Sequence, residues 1–162
     1  MPRPLAYFLT WTCYGTWLHG DARGSVDLDH NAPGTPYLPP YQQRMRTTAQ
    51  ALHHAPVNLD QQARELVTRT ILEHCTIRGW TAHALNVRTN HVHIVVTCPS
   101  YRPEVAMNQF KSWCTRHLRE AGLVSMATQV WTHHGSTRYL NSEASLAAAM
   151  DYVVYGQDRH VP

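Results

Sequence analysis

The chain has 162 residues, of which 43% are hydrophobic, and a formal net charge of +3. This length is enough for one hydrophobic core and short for two, so we expect one domain over residues 1–162. The sequence has no apolar stretch of transmembrane length and no signal segment, which excludes a membrane span and makes the cytoplasm the expected compartment. Four cysteines without C-x-x-C spacing argue against a zinc ribbon.

The N-terminal third contains one predicted strand and one long loop. Aromatic and β-branched residues predict a strand over residues 5–17. A Pro/Gly-rich insertion loop follows at about 18–57, and a loop of this length inside a compact domain is often functional. The only regular element expected in it is a short helix around Tyr41–His53. A longer helix then begins at Asn58 or Asp60 and ends at Gly79.

The remaining elements alternate between strands and helices. Two strands are predicted over Trp80–Val87 and Val92–Cys98, and the link Arg88-Thr89-Asn90 is short enough for a hairpin. A helix opens near Pro103, which is tolerated in a first turn, and ends at Gly122. Residues 128–140 are typical of one more strand. A last helix begins at Asn141 or Ser142 and ends near Gly156.

This order of elements predicts an α+β fold. Strand, helix, strand, strand, helix, strand is the ferredoxin-like or RRM-like plan, an antiparallel sheet with helices on one face. The C-terminal helix is additional to that plan, and it carries two tyrosines, Tyr152 and Tyr155.

Two histidines separated by one residue, His91 and His93, are the most informative motif. They lie in a β-branched, apolar run that favours a strand, and residues i and i+2 of a strand point to the same face. Val92 then points to the other face. Two neutral imidazoles side by side on a rigid strand provide half of a divalent-metal site.

The last helix presents its tyrosines away from its apolar side. Tyr152 and Tyr155 are neighbours at i, i+3 and lie off the apolar stripe, so the core requires neither. Each could be an ordinary surface residue, but the histidine pair in the same small domain favours a nucleophile that attacks a phosphodiester. The apolar stripe comprises Leu146, Met150, Val153 and Val154.

Several motifs together resemble one family. The histidine pair is followed by a helix containing Lys111, then by Trp-Thr-His-His-Gly-Ser-Thr-Arg-Tyr-Leu over 131–140 and Tyr-Val-Val-Tyr-Gly-Gln over 152–157. This set resembles the single-tyrosine HUH transposases, which comprise small insertion-sequence transposases and the REP-associated tyrosine transposases. The resemblance covers most of the chain except the loop at 18–57.

The resemblance implies an activity, a cofactor and partners. Members cut single-stranded DNA next to short hairpins, form a 5′-phosphotyrosine intermediate, use magnesium or manganese, and commonly act as homodimers. In this sequence the metal ligands match His91 and His93, and the nucleophile matches Tyr152. Lys111 also matches a family position.

The third metal ligand is where the sequence departs from the family pattern. The family often has a glutamine or asparagine four residues after the tyrosine, whereas this chain has Gly156 there and Gln157 one residue later. On a regular helix Gln157 would point about 140° away from Tyr152, although left-handed geometry at Gly156 would bring it back. Tyr155 stays a rival nucleophile. Other possible third ligands are Asp151, Asp158 and His160.

Further residues could contact DNA. Lys111, Arg116 and Arg119 on or near the second long helix could bind phosphates, although a solvated basic helix face is the more common arrangement. The aromatic residues of the first strand could stack on unpaired bases, although strand aromatics more often belong to the core. These aromatic residues are Trp11, Tyr14 and Trp17.

Two other functions compete with a DNA strand-transferase. A non-catalytic single-stranded nucleic-acid-binding module of RRM-like fold would bind without cleavage or metal, but no RNP-type aromatic signature is present. A metal-dependent phosphoesterase acting on small molecules would turn over without a covalent adduct, and it would not need a tyrosine on a terminal helix.

Overall fold

The computed structural model describes residues 3–16 and 56–156, and these residues form four strands and three helices. Within these ranges no helix is long and apolar enough to cross a membrane. In chain order the elements are β1 (Ala6–Cys13), α1 (Gln61–Arg78), β2 (Thr81–Val87), β3 (His91–Thr97), α2 (Pro103–Glu120), β4 (Trp131–Leu140) and α3 (Glu143–Tyr155).

The four strands form one antiparallel sheet in the order β2-β3-β1-β4. The predicted α+β, ferredoxin-like plan is therefore confirmed, with β1 and β3 at the centre of the sheet. In the register of these strands, Thr10 of β1 pairs with His93 of β3 and with Ser136 of β4. Nearly all of the predicted loop at 18–57, including the helix expected around Tyr41–His53, lies outside the described residues.

Each face of the sheet packs against different helices. Helices α1 and α2 pack on one face, here called the α1/α2 face, over a core that includes Leu9, Trp11 and Phe110. Helix α3 packs on the opposite face, here called the α3 face. Because side chains alternate along a strand, each strand contributes to both faces. The smaller core on the α3 face consists of Ala6, Ala84, Val95, Leu140, Ala149 and Val153.

The helix ends follow the predicted capping residues. The Asp60 side chain accepts a hydrogen bond from the Ala63 amide at 2.8 Å, so Asp60 and not Asn58 caps α1. Gly79 ends that helix in the left-handed conformation, with φ of 71°. Ser142 caps α3 and forms a reciprocal capping box with Ser145.

Two predictions about β1 and α3 need correction. β1 ends at Cys13 and not at residue 17, because the chain turns at Gly15, where φ is 82° and an added Cβ would lie 2.9 Å from Pro56. Val154 does not belong to the buried stripe of α3, since it is 47% exposed. Ala149 takes its place in the stripe, because it lies one turn before the fully buried Val153.

The aromatic residues of β1 divide between core and surface. Trp11 is 1% exposed and stacks on Phe110, so it is a core residue and does not present its ring to bases. Tyr14 is half-buried beside this core. Trp17 lies outside the described residues.

Candidate active site

The two histidines of β3 lie side by side on the α3 face. Their ring centroids are 4.7 Å apart and the rings are nearly perpendicular. His93 is buried and His91 is half-buried, while Val92 between them is fully buried on the α1/α2 face. The predicted strand, and the predicted position of both imidazoles on one face of it, are confirmed.

A hydrogen bond orients each imidazole through its Nδ1 atom. Nδ1 of His93 lies 2.7 Å from the Thr10 hydroxyl, and Nδ1 of His91 lies 2.7 Å from the Asn90 side-chain oxygen. Because an amide oxygen only accepts, Nδ1 of His91 donates the proton in its bond. Asn90 therefore fixes the tautomer of His91 that leaves Nε2 for a metal. The Thr10 hydroxyl, which can donate or accept, orients the His93 ring and is compatible with metal binding through its Nε2.

The environment of His93 keeps its ring neutral. Burial, with smaller contributions from the nearby His91 and Arg88, lowers the pKa of His93 to about 4. At neutral pH the ring therefore carries no charge, which is the state in which an imidazole nitrogen can bind a metal ion.

The Tyr152 ring of α3 contacts one residue of β3 and one of β1. Its ring centroid lies 5.9 Å from that of His93 and 5.9 Å from that of Phe8, and Phe8 in turn lies 5.7 Å from His93. The Tyr152 side chain is 41% exposed, so the phenol is accessible from solvent. Tyr155 is 59% exposed, and within the described residues its ring contacts neither histidine.

Helix α3 is attached to the sheet beside the histidines. The Asn86 side-chain amide of β2 donates a hydrogen bond of 3.0 Å to the Val153 carbonyl. Asn86 also pairs across the strands with His93. The Asn86 side chain thus links the strand position beside His93 to the turn of α3 that contains Tyr152. It also satisfies a carbonyl near the end of the helix.

Gly156 leaves space for the Tyr152 ring. An added Cβ at this position would lie 2.6 Å from Cδ2 of Tyr152, which is closer than real Cβ atoms approach. Gly156 has φ of −64° and ψ of −29°, so the left-handed geometry considered from the sequence is wrong for this residue. The predicted third ligand, Gln157, lies outside the described residues, as do Asp158 and His160.

The predicted DNA-binding residues of α2 lie on the other side of the sheet. Lys111 is only 8% exposed, and its ammonium donates to the carbonyls of Thr132 at 2.9 Å and His134 at 3.4 Å. Burial lowers the pKa of Lys111. These bonds give Lys111 a structural function between α2 and β4, and its contact with DNA stays a prediction.

The two arginines of α2 also have partners within the protein. Arg116 pairs with Glu120 at 3.0 Å, and Arg119 donates to the Thr128 carbonyl at 3.1 Å. Since α2 packs on the α1/α2 face, neither arginine shares a sheet face with the histidines. A contact of either residue with DNA stays a prediction, and it would lie on the face opposite the histidines.

Sequence reasoning missed four residues that support the site, namely Phe8, Thr10, Asn86 and Asn90. The alternation of Leu9 and Trp11 shows that Phe8 and Thr10 point to the opposite face of β1, but it does not identify which strand lies beside them.

Within residues 3–16 and 56–156, no group of three histidine, cysteine, aspartate or glutamate side chains forms a metal site. Asp151, the remaining candidate ligand, is exposed on α3.

Comparisons with known proteins identify a family and several solved structures of similar fold. The sequence model of the family described as "Transposase IS200 like" matches residues 53–153. A structure of a REP-associated tyrosine transposase bound to a REP hairpin has a TM-score of 0.57 at 10% identity, covering 98% of this chain and 70% of that one. A crystal structure from Deinococcus radiodurans R1, described as that of a transposase, has a TM-score of 0.52 at 14% identity, covering 100% and 95%. No curated protein matches the sequence.

Proposed function

Because the chain belongs to the IS200-like transposase family, we propose that it cuts and rejoins single-stranded DNA, with Tyr152 as the nucleophile. The observation that carries this proposal is the position of Tyr152, whose ring lies 5.9 Å from that of His93 on the face that also presents His91. Tyr155 makes no such contact within the described residues, so Tyr152 is the better candidate.

The proposed reaction exchanges one phosphodiester for another. The Tyr152 oxygen forms a bond to phosphorus, and the bond from phosphorus to the 3′-oxygen breaks. The products are a 5′-phosphotyrosine and a free 3′-hydroxyl, and the proton lost by the phenol balances the one gained by the 3′-oxygen. Attack by a 3′-hydroxyl on the phosphotyrosine reverses these steps and rejoins the strand without an external energy source.

The histidine pair fits a divalent cation, either magnesium or manganese. Thr10 and Asn90 orient the rings so that both Nε2 atoms serve as ligands, and the neutral state of His93 suits ligation. We propose Gln157 as the third ligand. When bound, the ion would neutralise charge that develops on the phosphate, and this matters because a phenol is a weak nucleophile that needs an activated phosphate.

We propose that the substrate is single-stranded DNA that contains a hairpin. The support is the structural neighbour, a REP-associated tyrosine transposase bound to a REP hairpin. The homodimer that the family resemblance implies is part of the same proposal. Light scattering on the purified chain would test it, with the mass of two chains as the expected result.

The experiment that tests the function is a denaturing gel. The protein is incubated with hairpin-containing single-stranded DNA from the flanks of its own gene, with manganese or with EDTA. We expect a manganese-dependent protein–DNA adduct that survives denaturation. Tyr152→Phe should abolish the adduct, and the matched control Tyr155→Phe should retain it.

Each alternative outcome has a distinct meaning. An adduct that persists in Tyr152→Phe and disappears in Tyr155→Phe would move the nucleophile to Tyr155. Tight binding without any adduct, with or without manganese, would favour the non-catalytic binding module. An adduct of the same yield in His91→Gln and His93→Gln would remove the histidine pair from the mechanism.

A further inference from the structure

Within residues 3–16 and 56–156, the α3 face has a half that helix α3 covers and a half that is open. Helix α3 lies over β2 and β3, where Ala84 and Val95 are buried against it. On β4, at the edge of the sheet, Ser136 and Arg138 are exposed. Within the described residues, a nucleic-acid strand that reaches Tyr152 therefore has a polar path along β4 and past the half-buried Thr10 of β1.

The strand register places Arg138 beside the candidate active site. Arg138 pairs with Phe8, and both belong to the α3 face because the next pair in the same phase, Ala6 and Leu140, is buried there. Phe8 is the residue whose ring contacts both His93 and Tyr152. Neighbouring strands are about 4.8 Å apart, so the Arg138 backbone lies one strand from a side chain that contacts both groups.

The contacts of the two residues that flank Arg138 show which way its side chain points. The residues on either side of it, Thr137 and Tyr139, contact groups on the α1/α2 side. Thr137 donates a hydrogen bond to Glu104 of α2, and the Tyr139 ring packs edge-on against Tyr7. Because successive residues of a strand alternate, Arg138 points to the α3 face.

Among the described residues, no acidic group neutralises the charge on Arg138. Across residues 3–16 and 56–156, its guanidinium has no hydrogen-bond or ion-pair partner. In this it differs from the cations of α2 predicted to bind DNA, all of which have partners in the protein. An exposed guanidinium is well suited to bind a phosphate through two parallel hydrogen bonds.

We propose that Arg138 binds a backbone phosphate of the single strand next to the bond that is cut, where the strand crosses β1 and β4. This inference rests on the proposed function for the position of the cut. The phosphate contact itself requires only that single-stranded DNA occupies the open half of the α3 face. The interaction is with the backbone, so it adds affinity and orientation without reading the base sequence.

The test compares Arg138→Gln with Arg78→Gln. Arg78 is equally exposed but lies in the last turn of α1, which packs on the other face. The first measurement is the affinity for a fluorescein-labelled single-stranded 20-mer in EDTA at several salt concentrations. We expect Arg138→Gln to weaken binding about tenfold at low salt and to reduce the slope of log K against log salt by about 0.7. Arg78→Gln should match the wild type.

A second measurement separates this inference from the proposed function. The rate of adduct formation with manganese and hairpin DNA should fall about tenfold in Arg138→Gln and recover in part in Arg138→Lys, which restores the charge but not the paired hydrogen bonds. A wild type that forms no adduct would contradict the proposed function, while the salt slope would still decide the phosphate contact. Equal salt slopes for Arg138→Gln and the wild type, or no binding of the 20-mer by the wild type, would overturn the inference.

Discussion

The Asn86 amide donates a hydrogen bond to the Val153 carbonyl, and Asn86 is also the strand partner of His93. These two relationships fix the distance between the turn that carries Tyr152 and the strand that carries the histidines. The buried core between α3 and the sheet is apolar, and apolar packing is non-directional. Asn86 is therefore well placed to orient the tyrosine.

Replacing Asn86 by alanine should impair the reaction more than the fold. The loss of one hydrogen bond predicts a decrease of about 1 kcal/mol in the free energy of unfolding. The rate of adduct formation should decrease at least tenfold, because the nucleophile loses its fixed orientation. Urea unfolding and gel kinetics measure the two effects. Asn108→Ala, at an exposed position on α2, is the matched control, and equal adduct rates in the two variants would exclude a positioning function.

Gly156→Ala should separate the stability of α3 from its activity. Gly156 has right-handed helical dihedral angles, so alanine is compatible with the backbone and should raise the free energy of unfolding by up to about 1 kcal/mol. The new methyl group would nevertheless displace the Tyr152 ring, and we expect slower adduct formation. Thermal unfolding and the denaturing gel test this pair of effects. An unchanged adduct rate would show that the ring position at Gly156 is not the reactive one.

Acidification should destabilise the fold through His93. The pKa in the folded state, about 4, lies below the ordinary value of 6.5, so the unfolded chain binds this proton first. The contribution of His93 to stability is thus complete above pH 6.5 and decreases as the pH falls towards 4, by up to about 3 kcal/mol.

Urea unfolding at pH 7.5, 5.5 and 4.5 checks this effect of His93. The difference in unfolding free energy between the wild type and His93→Gln isolates the histidine from the other titrating groups. As the pH falls, we expect the wild type to lose more free energy of unfolding than His93→Gln does. A difference that is constant over this range would contradict a neutral, buried His93.

Lys111→Met should destabilise the protein without changing the salt dependence of DNA binding. The substitution removes a charged donor from two carbonyls of β4, for which we expect a loss of about 2 kcal/mol in the free energy of unfolding. Arg116→Gln, which removes an exposed i, i+4 pair, should cost less than about 0.5 kcal/mol. A smaller salt slope for Lys111→Met than for the wild type would instead support the DNA contact predicted from the sequence.

Local patterns were sufficient to predict the elements and the histidine pair. Alternation along β3 predicts the common face of His91 and His93, and capping residues such as Asp60 and Ser142 define where helices begin. These signals lie within a few residues of the structure that they determine.

The supporting residues depend on contacts between distant parts of the chain. Thr10 adjoins His93 through pairing of β1 with β3, and Asn86 reaches Val153 through the packing of α3 on the sheet. Neither register nor helix position follows from local periodicity. Charge in a sequence also does not reveal which face of a sheet a residue occupies or which carbonyl it binds, so the internal partners of Lys111 and Arg119 could not be predicted.

In β3, the histidines of the candidate site and the aliphatic residues of the main core lie on opposite faces of the strand. Sliding β3 by one residue would bury both imidazoles in the main core and expose Val92, Ile94 and Val96, so burial of these three aliphatic residues strongly favours the observed register. Loss of either histidine by mutation would leave that constraint intact. A descendant of this chain could therefore lose the proposed chemistry in one step and persist as a folded protein with the same sheet and helices.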